Sequence, residues 1–495
     1  MITDERISDR HLREVDGLAP AADRRAVTVT VVADPAWAAA PAGQHLLVCL
    51  VNLLARLTET VTHIRLVVPS VPVAVRLPYG PSPGDLAAAL AAMVPWAVGD
   101  DVSVEFTTAP GNDDLVLCLG RPTGQAMLCA LADGWRCWVG DPAHFPRDSR
   151  VSTSTTPLGP YLAASFLAGE VFKRARGVTR GGSIHSLGYS LWTGTVGEWS
   201  FLEAGPELAG RDLPPFYLVG VGAVGQGLAQ ILGAAAFARG CVVAIDDDRH
   251  DKTNLNRCFL AGSADVGDPK MNAVVRYLNG TLVQCPPHVG TLIDYASKAK
   301  PSINAELARA ESECRYDIIV SCVDKGKSRQ DIQGLRPRLI IGGSTTGLTA
   351  KTNVYDFAPG TPCLGCHNPP EKDAERLREF ERVLRAMSHD ERIAYLRDRG
   401  VDPRPILQYL ADGKCGSAGE NMLRDMATGS PREFSVSFVS MGAAVLLAAR
   451  LFSRVLFGGP DADRARMTSI AFLRGSVLDT ALAVDATCGR HGAND

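Results

Sequence analysis

Phe216-Tyr-Leu-Val-Gly220-Val-Gly222-Ala-Val-Gly225 decides the fold of this chain. The apolar run ending at Val219 reads as a buried strand, and the three glycines that follow have G-x-G-x-x-G spacing. Val224 to Arg239 then reads as a helix, and Cys241-Val-Val-Ala-Ile-Asp246 as the next strand. Glycine at 220, 222 and 225 lets the backbone turn tightly and approach a phosphate, and the helix start supplies unpaired N–H donors. Asp246 ends the second strand, where a carboxylate can accept hydrogen bonds from ribose hydroxyls. In this order the pattern points to a nucleotide site; by itself the glycine spacing also suits a tight turn with no ligand. Two enzyme classes fit, a dinucleotide oxidoreductase and an enzyme using ATP on the same fold. No G-x-x-x-x-G-K-[ST] is present, which excludes a Walker-type NTPase.

The residues after Asp246 separate the two. They run Asp246-Asp-Asp248-Arg-His-Asp-Lys-Thr253-Asn254-Leu-Asn-Arg257-Cys258, then Gly267-Asp-Pro-Lys270, and later Val320-Ser-Cys-Val-Asp324. Adenylation needs ATP held so that a carboxylate attacks the α-phosphorus in line while pyrophosphate leaves. Arg257 and Lys270 are fixed cations that can neutralise the shifting phosphate charge. Asp324, at the end of a later strand, can hold Mg²⁺ beside the phosphates, and Asn254 can position a phosphate or the ribose. A dehydrogenase has no use for such a set.

These motifs resemble the ThiF, MoeB and ubiquitin-activating-enzyme superfamily over about residues 213–491. That family's pattern is a G-x-G loop, then D-x-D, S-N-L-x-R-Q, G-x-P-K and a later aspartate. Thr253 stands where serine is usual and Cys258 where glutamine is usual. The resemblance implies an adenylyltransferase with Gly220, Gly222, Gly225, Asp246, Asp248, Asn254, Arg257, Lys270 and Asp324 at the nucleotide.

Cys363-Leu-Gly-Cys366 suits either redox chemistry or a metal, but the thioredoxin-like setting of a redox pair is missing. Relatives often hold one structural zinc with two such pairs. Here the C-terminal end offers Cys488 and His491, with His367 a spare donor. In ubiquitin-activating relatives a mobile cysteine takes the acyl group from AMP. Cys415, flanked by Lys414 and Gly416, is the candidate, with a structural cysteine as the alternative.

Outward from this centre, residues 1–175 alternate apolar strands and helices without a glycine loop. They read as an N-terminal α/β domain and, by resemblance, as a degenerate adenylation half. Arg10 and Arg13 are candidate arginines reaching a partner half's ATP. Residues 176–212, rich in Gly, Ser and Thr, read as a linker, and 213–495 as the adenylation domain. A helical insertion spans 370–414. Residues 371–400 hold 16 charged side chains, with Leu377, Phe380, Leu384 and Met387 on one face, and Ser388 and Glu391 form a capping box. The fold class expected is α/β, with a doubly wound, Rossmann-like parallel sheet in the C-terminal half.

Bulk properties agree. Apolar residues make up 46% and charged residues 21% of 495, excluding a largely disordered chain. A net charge of −3 argues against nucleic-acid or anionic-membrane partners. The charged N-terminus is not a secretory signal, and thirteen scattered cysteines suit reduced thiols in the cytoplasm. The expected partner is a small ubiquitin-like or sulfur-carrier protein, or a ribosomal peptide, handled by a homodimer or pseudo-dimer. The alternative is a leader-peptide or partner-binding module with reduced catalysis.

Overall fold

The computed structural model describes residues 6–12, 25–80, 84–112, 114–178, 181–297, 316–356, 360–368, 372–399, 401–412, 419, 422–423, 426–427, 434–458, 465–485 and 488. Two sheets carry these residues. The first holds β1 (Val27–Ala33), β2 (Val61–Val67), β3 (Ser103–Phe106), β4 (Leu115–Leu119), β5 (Leu128–Asp133), β6 (Arg136–Gly140), β7 (Ser186–Ser190) and β8 (Thr195–Val196). The second holds β9 (Phe216–Val219), β10 (Gly240–Asp246), β11 (Val283–Gln284), β12 (Pro287–Val289), β13 (Ile318–Ser321), β14 (Leu339–Thr346), β15 (Thr349–Asp356), β16 (Arg466–Ala471) and β17 (Ser476–Ala481).

The first sheet runs β3-β2-β1-β4-β5-β6-β7-β8 and the second β11-β10-β9-β13-β14-β15-β16-β17, with β12 also beside β10. Taking β11 and β12 as one interrupted strand along β10, the two orders coincide. In each sheet the first five positions are parallel and the rest antiparallel. The main helices repeat as well. Pro41–Ala55 follows β1 as Ala223–Ala234 follows β9; Leu158–Ala175 precedes β7 as Ser437–Phe457 precedes β16. The fold is α/β, and the nearly uninterrupted apolar runs in β4, β9 and β13 are what strands buried on both faces require.

Residues 176–212 depart from the linker reading. They contribute β7 and β8, which extend the first sheet by antiparallel pairing. Ser186-Leu-Gly-Tyr-Ser190 has little strand propensity, so its conformation comes from its neighbour β6 rather than its own sequence.

One apolar core joins the two sheets. Helices Leu158–Ala175 and Ser437–Phe457 lie against each other within it, and both are largely buried. Phe438 and Phe472 of the second half close on Gly169 of the first. Ser437–Phe457 is long and apolar enough to cross a bilayer, but it is mostly buried here among strands and helices. Between β15 and that helix, Lys372–Ala386, His389–Asp398 and Pro403–Asp412 form the helical insertion, with its own small core of Leu377, Leu384, Leu396, Ile406 and Leu410. The Ser388 capping box is present: Glu391 N–H donates to Ser388 Oγ at 3.3 Å, and Ser388 N–H to Glu391 Oε2 at 2.8 Å.

Candidate nucleotide site

The candidate residues gather where the second sheet reverses its winding, at the C-terminal ends of β9, β10 and β13. That switch point is where open α/β sheets bind ligands. Gly220 takes φ +89°, and an added Cβ would lie 2.8 Å from the Cys322 carbonyl oxygen. Gly225 is tighter: a Cβ would fall 2.1 Å from Gly220 O, so helix Ala223–Ala234 starts hard against the strand end. Gly222 caps that helix, and no atom lies within 4 Å of where its Cβ would be. Its surroundings are open on the side a phosphate would approach.

Asp246 fixes this turn from within. Its Oδ2 accepts from Val221 N–H at 2.6 Å and its Oδ1 from Asp248 N–H at 2.8 Å. Burial pushes the Asp246 carboxyl up, and Lys270 opposes that shift. Lys270 opens helix Lys270–Leu278 and donates to Asp248 Oδ2 at 2.8 Å. Burial works against its ammonium, but Asp246 and Asp248 outweigh burial and hold its pKa above the usual lysine value. For Asp248 the opposition of burial is likewise overcome, mainly by Lys270, and its pKa falls. Asp246, Asp248 and Lys270 are thus brought together at the mouth of the glycine turn.

Asn254 and Arg257 sit one loop away, on the turn Lys252–Asn256. Asp251 caps it, accepting from Thr253 N–H at 2.7 Å, while Asn254 Oδ1 accepts from Asp251 N–H at 3.3 Å. Arg257 donates to Thr253 O at 3.0 Å and to Asn256 Oδ1 at 2.7 Å. Asp324 follows β13, is exposed, and makes no side-chain hydrogen bond among the described residues. Lys325 beside it feels Asp248 electrostatically.

Arg10 reaches this loop: its Nε donates to Thr253 Oγ1 at 3.3 Å from the turn Ile7–Arg10 of the first half. Arg13 lies outside the described residues, as do Cys415, Lys414 and Gly416. Arg56 and Asn52, absent from the sequence reading, also reach the loop from the first half. Their signal was an Asn and an Arg four residues apart in the otherwise apolar run from Leu46 to Leu57.

The cysteines at the far end of the sheet also converge. Cys363 Sγ lies 3.8 Å from Cys366 Sγ and 3.8 Å from Cys488 Sγ. Thiolates about 2.3 Å from a tetrahedral zinc stand about 3.8 Å apart, so the three fit that geometry. His491 lies outside the described residues. His367 stacks on Tyr355, ring centroids 6.0 Å apart.

Residues 215–481, more than half of the chain, match the ThiF family. The chain belongs to the ThiF family. Residues 28–191 match a second family, the BilD N-terminal domain. Similar to this ThiF-family chain is an uncharacterized protein, y4jF, of Sinorhizobium fredii, 24% identical over 54% of this chain and 50% of that protein. The adenylyltransferase and sulfurtransferase MOCS3-2 of Zea mays is 28% identical over 32% of this chain and 31% of its own. The molybdopterin-synthase adenylyltransferase of Escherichia coli is 26% identical over 30% of this chain and 56% of its own. The chain spans half of y4jF and about a third of the maize protein. Among solved structures, Escherichia coli MccB with ATP aligns with TM-score 0.35 and 16% identity, over 57% of this chain and 67% of MccB.

Proposed function

We propose that this ThiF-family chain uses ATP and Mg²⁺ to adenylate the C-terminal carboxylate of a small ubiquitin-like or sulfur-carrier protein, or of a ribosomal peptide. A carboxylate oxygen attacks the α-phosphorus, the α–β anhydride bond breaks, and pyrophosphate leaves as the acyl-AMP forms. The observation that carries the reading is Lys270, an ammonium 13% exposed and held by two aspartates beside an open glycine turn. A preorganised cation of this kind stabilises phosphate charge that moves in the transition state. Arg257 and Asn254 serve the phosphates and ribose, Asp248 orients Lys270, and Asp246 holds the turn. Asp324, an exposed carboxylate at the adjoining strand end, is the group suited to hold Mg²⁺, which would neutralise the departing pyrophosphate.

The first half is read as a degenerate adenylation half, because it repeats the strand order without the glycine turn. In this reading Arg10 is its contribution to the site, made within one chain. Cys363, Cys366, Cys488 and a fourth donor, His491 or His367, hold a structural zinc. Transfer of the acyl group to Cys415 as a thioester is the finer part of the proposal, and Cys258 is the next thiol to test.

The test is exchange of labelled pyrophosphate into ATP, with small proteins ending in Gly-Gly offered as acceptors. Exchange should depend on the acceptor. Lys270→Ala should lower it about a hundredfold, on the order of 3 kcal/mol. No exchange by the intact chain with any such acceptor, or tight NAD binding instead of ATP, defeats the assignment. Cys415→Ala should leave exchange intact and remove a reductant-sensitive adduct.

A further inference from the structure

Arg56 ends helix Pro41–Ala55 in the first half and is fully buried. Among the described residues its guanidinium hydrogen-bonds to no carboxylate, and Asp265 acts on it only through space. Nε donates to Asn52 Oδ1 at 2.8 Å, Nη1 to Leu255 O at 2.6 Å, and Nη2 to Phe259 O at 3.3 Å and Ala261 O at 2.9 Å. Asn52 Nδ2 donates to Phe259 O as well, at 3.2 Å. Three of these acceptors are backbone carbonyls of one irregular, buried segment in the other half. That segment carries Arg257.

The placement brackets Arg257: Leu255 precedes it by two residues and Phe259 follows by two. Between those anchors the backbone has little freedom to reorient the Arg257 side chain. A buried carbonyl left without a donor costs about 1–3 kcal/mol, so the segment can stay both irregular and buried only if donors are brought to it. Side chains bring them: Arg276 supplies Leu260 O at 3.1 Å, and Arg56 supplies the other three. The planar fork of a guanidinium suits carbonyls spread this way, whereas an ammonium is a point donor. Burial lowers the Arg56 pKa to about 10, so it keeps its charge at neutral pH. The clamp runs in one direction. The residue at the same place in the second half, ending helix Ala223–Ala234, is Ala235, which has no donor to send back.

We propose that Arg56, braced by Asn52, is a positioning residue through which the first half sets the geometry of Arg257 at the nucleotide site of the second. It acts through the backbone of residues 255–261 and touches no nucleotide itself. The role rests on the ATP reading given above.

The experiment is a double-mutant cycle on the full chain, read as affinity for ATP with Mg²⁺ by calorimetry. Arg56→Met should weaken ATP binding about tenfold, or about 1.4 kcal/mol. In an Arg257→Ala background the same substitution should add less than twofold, because the group it positions is gone. Arg56→Lys should not restore affinity. Amide exchange in residues 252–262 should accelerate in Arg56→Met while that of helix Ser437–Phe457 stays slow. If Arg56→Met does not fold, Asn52→Leu carries the test and should give a smaller loss with the same dependence on Arg257. Equal losses in both backgrounds, or unchanged affinity in a folded Arg56→Met protein, overturn the role and leave the functional reading standing. Failure of the unmutated chain to bind ATP overturns both.

Discussion

At the end of β9 the chain turns on Gly220 and Gly222 and leaves open space; at the equivalent end of β1 it turns through Asp34 and Pro35 and inserts Trp37. The Trp37 indole is 3% exposed and lies against Gly120, where a Cβ would be 2.4 Å from the ring. Gly120 follows β4 as Cys322 follows β13. The crevice that stays open in one half is therefore filled by a side chain in the other. The charges differ in the same way. Asp246, at the end of β10, has Pro69 as its counterpart, two residues past the end of β2. Lys270, opening the next helix, has Leu86, which is fully buried. Asp324, three residues past its strand, has Pro122. One strand order thus persists with and without the groups proposed to handle phosphate, because the order depends on apolar strands and helix faces, not on the residues at the strand ends.

The sharpest way to break this comparison is to substitute equivalent positions. Asp324→Ala should abolish pyrophosphate exchange, and Pro122→Ala should leave it unchanged; an equal effect of both would show the halves share the chemistry. Trp37 comes next. Trp37→Ala should cost about 3–5 kcal/mol of stability, as loss of a buried aromatic does, measured by denaturant unfolding. Calorimetry should still find one ATP per chain, and a second bound ATP would mean that the indole alone closes the first crevice.

A smaller effect is expected at the cysteines. Cys363→Ser should release about one zinc per chain by metal analysis and lower the melting temperature, because metal-binding energy is also folding energy. Cys118→Ser, at a buried apolar cysteine of the first half, should leave the metal in place. Protein that contains no zinc when purified without chelators would remove the site.

The smallest effect concerns His45 in the first half and His250 in the second. Burial pushes both down to about 4. Their folded pKa values lie below the unfolded value of about 6.5, so both are neutral when folded. Stability is therefore full above about pH 6.5 and falls as pH drops toward 4. By pH 5 each should cost on the order of 1–2 kcal/mol. His45→Gln and His250→Gln should each flatten that part of the stability profile, and an unchanged slope in both would refute the assignment.

Much of the second half was legible in the sequence because its signals are local. The glycine turn, Asp246 and Lys270 lie within 51 residues, and the Ser388–Glu391 box within four. Gly267-Asp-Pro-Lys270 stood out through its match to the G-x-P-K of the family pattern. The first half was harder. Strands β7 and β8 take their conformation from β6, and the Gly/Ser-rich segment that bears them has no period of its own. Arg56 was missed for a related reason: its acceptors lie 199 to 205 residues away, and carbonyls leave no trace in a sequence. All three clustered cysteines were named from the sequence: Cys363 and Cys366 are neighbours, and the family resemblance added Cys488, which joins them from the far end of the chain.

The shared core has a consequence for the order of synthesis. Helix Leu158–Ala175 leaves the ribosome roughly 260 residues before Ser437–Phe457, the helix it packs against. At about 5–20 residues per second, that is a wait on the order of 13–50 s. Through that interval the nascent first half presents an apolar helix whose proper cover has not yet been made. The newborn chain therefore needs some provisional cover for that helix until Ser437–Phe457 arrives.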